Sequence, residues 1–163
     1  MTKYIIQIAS KYGEIDWKNR YKKSDEKQLN KAYYDGLIPD VIIQKVISLI
    51  DEDKNLTKYY EHIKQRLESQ TTYKVLVIGV GKHEKGEICL FDEKGEYADE
   101  IAHIDKEPFD GARRMNRLFV FDTKPKEITF HNTHEKTNKP KTFQGNQIKF
   151  MNNCTTIILD LDK

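Results

Sequence analysis

The sequence predicts a single α+β domain, in which an N-terminal strand and three helices pack on a mainly antiparallel β-sheet. Two observations predict this class. Apolar residues recur at helical spacing as far as Ser69, and after it they alternate or cluster in short runs bounded by turn residues. The 163 residues suffice for one ordinary core, and no linker or repeat divides them. We therefore assign one domain to residues 1–163, with a helical part at about 24–69 and a β-rich part at about 73–163.

The N-terminal segment predicts a strand, a loop and a first helix. Residues 3–9 favour a strand because they are rich in isoleucine. Residues 11–23 (KYGEIDWKNRYKK) show no sustained period and predict a loop. Ser24 can cap a helix through residues 25–34, which Gly36 would end in a left-handed conformation.

Two further helices are predicted by the spacing of their apolar residues. Pro39 suits the first turn of the second helix, because a proline lacks the N–H that would be unpaired there. The apolar residues that then recur at i, i+3, i+4 and i+7 are Ile43, Val46, Ile47 and Ile50. A third helix repeats this pattern with Leu56, Tyr59, Tyr60, Ile63 and Leu67.

Short strands are predicted for the remainder of the chain. The run YKVLVIGV from Tyr73 is almost continuously apolar, which predicts a strand covered on both faces. Residues 86–91 and 97–104 flank DEKGE and predict a hairpin. Further strands are predicted at 118–121, 127–131, 147–151 and 155–161. We expect the first strand to join the same sheet, with the helices as the crossover.

Composition narrows the class of protein. The formal net charge is only +2, so the overall charge says little about partners. Cys89 and Cys154 each lie in an apolar run and form no disulfide framework, which predicts buried thiols in a reducing compartment. No stretch resembles a secretory signal or a spanning helix, so we expect a soluble cytoplasmic protein without membrane association.

The glycine-containing segment VLVIGVGKHEKG is a poor nucleotide site. A dinucleotide-binding turn needs a helix after its glycines, and here another strand is predicted instead. No Gly-Lys-Ser or Gly-Lys-Thr ends a phosphate loop. Gly79 and Gly81 are therefore interpreted as strand-end and bulge residues, and we expect no cofactor.

A polar loop at residues 131–146 offers the alternative of catalysis. His131 and His134 can act as acid and base near neutral pH, and nearby lysines can hold a phosphate, namely Lys136, Lys139 and Lys141. A metal-independent nuclease or phosphodiesterase needs this chemistry. A solvated connection between strands would have the same composition. No cysteine or third histidine completes a zinc site, so no metal is predicted.

Local charge carries the remaining signal. Residues 84–110 have a net charge of −7 and residues 111–154 a net charge of +6, although folding can bring these blocks together and cancel them. Two basic clusters contain residue types that contact phosphates and stack on bases. The candidate binding residues are Trp17, Lys18, Arg20, Tyr21 and Lys22 in the first cluster, and Arg113, Arg114 and Arg117 in the second. Trp17 can equally be a core anchor, and the arginines also suit an acidic protein surface.

The function predicted from the sequence is binding without catalysis. We expect an inhibitor, immunity or accessory protein that acts on nucleic acid or on a nucleic-acid-handling protein. The two basic clusters form the predicted binding set, together with the three lysines of the polar loop. The alternative is the small nuclease or phosphodiesterase that uses His131 and His134. The sequence does not determine the partner or the oligomeric state.

Overall fold

The computed structural model describes residues 4–10, 13–18, 39–81, 88–91, 100–109, 112–132 and 140–160. The strands are β1 (Tyr4–Ser10), β2 (Gly13–Lys18), β3 (Tyr73–Gly81), β4 (Ile88–Phe91), β5 (Glu100–Phe109), β6 (Ala112–Phe121), β7 (Glu127–Asn132), β8 (Lys141–Gln144) and β9 (Cys154–Asp160). The helices are α1 (Pro39–Glu52) and α2 (Lys54–Glu68), and a 3-10 turn covers Gly145–Gln147.

Both helices begin at residues that suit a helix N-terminus. Helix α1 starts at Pro39, as predicted, and buries its isoleucine-rich stripe. Helix α2 is capped by Asp53, whose carboxylate accepts hydrogen bonds from the backbone N–H groups of Asn55 and Leu56 at 3.1 and 3.3 Å. The predicted second and third helices are thus confirmed. The predicted first helix, at residues 25–34, lies outside the described residues.

Six strands form the main sheet in the order β2-β1-β5-β6-β3-β9. Every neighbouring pair is antiparallel except β3 and β9, which run parallel. The prediction that the first strand joins this sheet is confirmed, since β1 lies between β2 and β5. A smaller antiparallel sheet has the order β4-β7-β8. The mixed content and the mainly antiparallel pairing confirm the α+β class.

The main sheet carries a hydrophobic core on each face. Because side chains alternate along a strand, Leu76 and Ile78 of β3 face the core shared with the two helices. Val75 and Val77 face a second core, which includes Ile128 of β7. The prediction that β3 is covered on both faces is therefore confirmed.

Two predictions about pairing are wrong. Residues 13–18 form β2, not part of a loop, because Ile15 and Trp17 alternate with charged residues along an edge strand that pairs with β1. The described strands on either side of DEKGE, β4 and β5, do not pair with each other as the predicted hairpin requires. Strand β4 pairs with β7 and β5 pairs with β1 and β6, because the turn sequence does not determine which strand a neighbour will pair with.

The C-terminal predictions also need two corrections. The polar segment at residues 131–146 contains β8, which pairs with β7 and shortens the predicted loop. Residues 147–151 do not form a strand. The 3-10 turn ends at Gln147, and the chain then reverses through Asn152 and Asn153, both in the left-handed region at φ of 51° and 60°.

Candidate binding surface

One end of the main sheet brings together three residues of the predicted binding set, namely Lys18, Arg113 and Arg114. Lys18 of β2 lies opposite Ile5 of β1, and Ile5 lies opposite Asp105 of β5. The next residue of β5, Lys106, lies opposite Arg114 of β6. The two basic clusters, far apart in sequence, therefore end within one residue of the same transverse row.

Strand spacing sets the dimensions of this row. Strands β2 and β6 are separated by β1 and β5, which places Lys18 and Arg114 about 14 Å apart at the backbone. Arg113 lies opposite Gly81, at the last position of β3. We call the end of the sheet that contains Lys18, Lys106, Arg113 and Arg114 the basic end.

Lys141 reaches the same end from the smaller sheet. Its ammonium donates a hydrogen bond to the backbone carbonyl of Asp160, the last residue of β9. Asp160 lies opposite Val80, and Val80 lies opposite Arg114. The structure thus places a fourth residue of the predicted set at the basic end.

The basic end is mixed in charge. Asp105 and Asp160 occupy the same rows as the lysines and arginines. A mixed row produces a weaker long-range field than a purely basic one. Contact with phosphate would therefore depend on local guanidinium and ammonium groups more than on steering by the field.

Arg117 is held away from this end in an ion pair. Its side chain is mostly buried, and its Nε lies 3.2 Å from Oε1 of Glu100. The Nε2 of His103 lies 3.3 Å from the other oxygen of the same carboxylate. Arg117 also donates a hydrogen bond from Nη1 to the Asn116 carbonyl at 3.1 Å. A phosphate would have to replace these contacts, so Arg117 is better suited to organising the sheet.

The remaining predicted residues are only partly described. Trp17 lies opposite Ile6, and His131 of β7 lies opposite Cys89 of β4, which places both in strands. The other predicted residues fall outside the described residues, namely Arg20, Tyr21, Lys22, His134, Lys136 and Lys139. Their roles, including the shared acid and base chemistry of the two histidines, stay predictions.

A polar pocket of about 540 Å³ lies at the opposite end of the main sheet. It is lined by the first turns of α1, the end of α2 and the beginnings of β3 and β9. Lys74 lies at its base, only 5 % exposed, and its ammonium donates hydrogen bonds to the carbonyls of Ser69 and Thr72 at 2.5 and 3.2 Å. These bonds satisfy carbonyls around the end of α2, so Lys74 stabilises a helix terminus.

The ionisable groups of the pocket affect one another. Burial lowers the pKa of Lys74 below its ordinary value, while Cys154 and Asp40 partly oppose this shift. Burial raises the pKa of the Cys154 thiol, and Lys74 partly opposes that shift. A thiol with a raised pKa carries little thiolate near neutral pH, so Cys154 is a poor nucleophile.

Sequence reasoning missed Lys74, although a signal was present. A lysine within a strand that is covered on both faces must either be buried or lie at the strand end. Lys74 is both buried and close to the strand end, since it is the second residue of β3, where it lies opposite Cys154 of β9.

The described part of the chain was searched for metal-ligand clusters and for spanning helices. No group of three or more His, Cys, Asp or Glu side chains there is arranged to hold a metal ion. Neither α1 nor α2 is long and apolar enough to cross a membrane.

Comparison with protein-family models, with curated proteins and with solved structures gives no significant match. The function of this chain is therefore inferred from its own residues and from the way the sheet arranges them.

Proposed function

We propose that this chain is a non-catalytic binding protein whose basic end contacts single-stranded nucleic acid. The observation that carries the proposal is the strand register, which aligns Lys18 with the segment that contains Arg113 and Arg114. Cationic residues gathered at one end of a sheet can contact several phosphates of one strand, and guanidinium groups bind phosphate oxygens in pairs.

Aromatic residues close to Lys18 in the sequence support a single-stranded target. Trp17 precedes Lys18 within β2, and Tyr21 follows shortly after it in the sequence. Unpaired bases expose faces on which aromatic rings can stack, whereas paired bases in a duplex do not. An inhibitor or accessory protein that covers a nucleic-acid strand would need this combination of charge and stacking.

The proposal is tested by measuring the binding of fluorescent single-stranded DNA and RNA by anisotropy over a range of salt concentrations. We expect log affinity to fall with log salt by about 0.7 for each phosphate that is neutralised. The double variant Arg113→Gln/Arg114→Gln should bind more weakly, and its salt dependence should be shallower by about 0.7 for each phosphate that the variant no longer neutralises.

The matched control removes the same charge at the opposite end of the sheet. Lys124 and Lys126 are exposed and follow β6 where it ends at Phe121. Lys124→Gln/Lys126→Gln should therefore bind as the wild type does. Equal weakening in both double variants would contradict a role specific to the basic end.

Other results would point to another function. Absence of salt-dependent binding by the wild type would overturn the nucleic-acid proposal and favour an acidic protein partner. Cleavage of the oligonucleotide in EDTA, abolished in His131→Ala, would instead support the catalytic alternative.

A further inference from the structure

The two cysteines of the chain lie in different layers of the fold. Cys154 belongs to β9 of the main sheet and packs against the core beneath the helices. Cys89 belongs to β4 of the smaller sheet, which covers the opposite face of the main sheet. Stacked sheets lie about 10 Å apart, whereas the Cα atoms of a disulfide lie within about 7 Å of each other. The two cysteines therefore do not pair with each other.

The strand register assigns Cys89 to the outer face of the smaller sheet. Leu90 lies opposite Phe130, which is buried in the second core. Because successive positions of a strand alternate between the two faces of a sheet, Cys89 belongs to the other face. Along β7 and β8 that face carries only polar residues, namely Glu127, Thr129, His131, Thr142 and Gln144. Three of these are exposed: Glu127, Thr142 and Gln144.

A histidine is the cross-strand partner of Cys89. In the antiparallel pairing of β4 and β7, Cys89 lies opposite His131. Partners of this kind share one face of the sheet, with Cβ atoms about 4.5–5.5 Å apart. An imidazolium near a thiol stabilises the thiolate, which is the reactive form of cysteine. The register thus brings a nucleophile and a residue that can take up its proton near neutral pH to the same place on the polar face.

We propose that Cys89 is a redox modification site, at which His131 promotes oxidation of the thiol by hydrogen peroxide. His131 takes the thiol proton, and the thiolate sulfur attacks one oxygen of the peroxide. An S–O bond forms as the O–O bond breaks, so the sulfur is oxidised to a sulfenic acid and the peroxide is reduced. The departing hydroxide takes the proton back from the imidazolium and leaves as water. The histidine thereby returns to its neutral form.

Cys154 provides a comparison within the same chain. It lies opposite Lys74, whose ammonium donates its hydrogen bonds to backbone carbonyls. Burial raises the pKa of the Cys154 thiol, which lowers its thiolate fraction near neutral pH. We therefore expect peroxide to oxidise Cys89 in preference to Cys154. Because the two cysteines lie in different layers, the sulfenic acid at Cys89 does not condense with Cys154 and persists until a small thiol reduces it.

Trapping of the sulfenic acid with dimedone tests the site in the full chain. The reduced protein is treated with hydrogen peroxide and dimedone near neutral pH, and the labelled peptides are quantified by mass spectrometry. We expect Cys89 to be labelled about tenfold faster than Cys154 in the folded protein. In urea, where the fold is lost, the two cysteines should be labelled at similar rates. Labelling of Cys154 as fast as or faster than that of Cys89 in the folded protein would overturn the proposal.

The variant His131→Gln tests the role of the histidine separately. Glutamine keeps a polar side chain in β7 but takes up no proton near neutral pH. Labelling of Cys89 should slow by about tenfold and should rise more steeply with pH than in the wild type. Slow labelling of Cys154 in the same sample verifies that the variant is folded.

The matched control is His62→Gln, because His62 is exposed on α2. This variant should leave the labelling rates of both cysteines unchanged. If Cys89 were labelled as fast in His131→Gln as in the wild type, its reactivity would not depend on His131 and the proposal would be wrong.

Discussion

The two faces of the main sheet are covered by different kinds of side chain. The face beneath α1 and α2 is packed mainly with isoleucine, leucine and valine. The face beneath the smaller sheet collects the aromatic residues, with Phe119, Phe121 and Phe130 buried and Phe143 and Phe150 packed against them. Two helices supply continuous aliphatic stripes, whereas three short strands supply few inward positions, so large rings fill the space below them.

Within the described residues, each face also encloses a buried cation, and the two cations are neutralised differently. On the helix side Lys74 donates to backbone carbonyls. On the other side Arg117, only 8 % exposed, pairs with the Glu100 carboxylate. Carbonyl oxygens carry no net charge. They therefore offset less of the desolvation cost of burying Lys74 than the Glu100 carboxylate offsets for Arg117. The comparison predicts that the two faces will respond differently to substitution.

Removing a large core side chain should have the largest effect. Phe119→Ala should lower the free energy of unfolding by about 3–5 kcal/mol, and Ile50→Ala on the helix side by about 2–5 kcal/mol, because both side chains are fully buried. Urea unfolding followed by far- and near-ultraviolet circular dichroism measures both. If the two faces belong to one cooperative unit, both signals should shift together in each variant.

Exposed Lys126 supplies the control, since Lys126→Ala should change stability by less than about 0.5 kcal/mol. Separate transitions for the two signals, each affected by only one core variant, would mean that the faces unfold independently. That result would contradict the assignment of a single domain.

Breaking the ion pair on the aromatic face should have the next largest effect. Arg117→Met should cost about 3 kcal/mol, because it leaves the Glu100 carboxylate mostly buried and without its strongest cation. Adding Glu100→Gln should recover much of this stability. A double-mutant cycle in urea measures the coupling, and strictly additive effects would show that the pair contributes no interaction energy.

The cap of α2 should have a smaller effect that is confined to the helix side. Asp53→Ala should cost about 1 kcal/mol, since it removes the acceptor for the N–H groups of Asn55 and Leu56. Asp53→Asn should retain most of the stability, because asparagine caps helices about as well as aspartate. If Asp53→Asn destabilised the protein as much as Asp53→Ala does, the loss of stability would arise from the charge of Asp53 and not from its capping hydrogen bonds.

Lys74→Met should have the smallest effect near neutral pH, about 1 kcal/mol or less, because hydrogen bonding and desolvation oppose each other. Its pH dependence is more informative. The folded pKa of Lys74 is lowered, so between that pKa and the ordinary 10.5 the unfolded state binds more protons and the Lys74 contribution to stability rises with pH. The difference in stability between wild type and Lys74→Met should therefore increase as the pH approaches 10.5.

Lys64 gives the opposite expectation in the same experiment. Its hydrogen bond to Asp51, at 2.6 Å, raises its pKa. Its contribution is therefore fully present below 10.5 and disappears as the pH rises through the raised value. Equal slopes in Lys74→Met and Lys64→Met would contradict the assignment of opposite shifts.

The helices and β3 were predictable because their signals are local. Pro39 marks the start of α1, and the spacing of isoleucines identifies its buried stripe. The strand that begins at Tyr73 is apolar on both faces because both faces are covered. Strand β2 was missed because only Ile15 and Trp17 alternate with its charges, a pattern too short to distinguish an edge strand from a loop.

The candidate surface was predictable only as separate pieces. The basic and aromatic composition near Lys18 and the arginine-rich segment at Arg113 and Arg114 can be read from the sequence. The sequence groups Arg117 with that segment, whereas the structure shows its side chain in a different environment. It lies on the same strand but pairs with Glu100 in the interior, because neighbours along a strand can face a core or reach solvent depending on what packs above them.

The sequence by itself determined the α+β class, the positions of α1 and α2, and the fully covered strand β3, since each depends on the period of apolar residues within one segment. Only the tertiary structure decided three features. Strand β4 pairs in the second sheet and not with β5, Lys18 and Arg114 lie at the same end of the main sheet, and β9 is the last strand in its order. The physical reason is that strand pairing joins residues distant in the chain. Many partners satisfy the same local pattern, and only packing of the complete core selects among them.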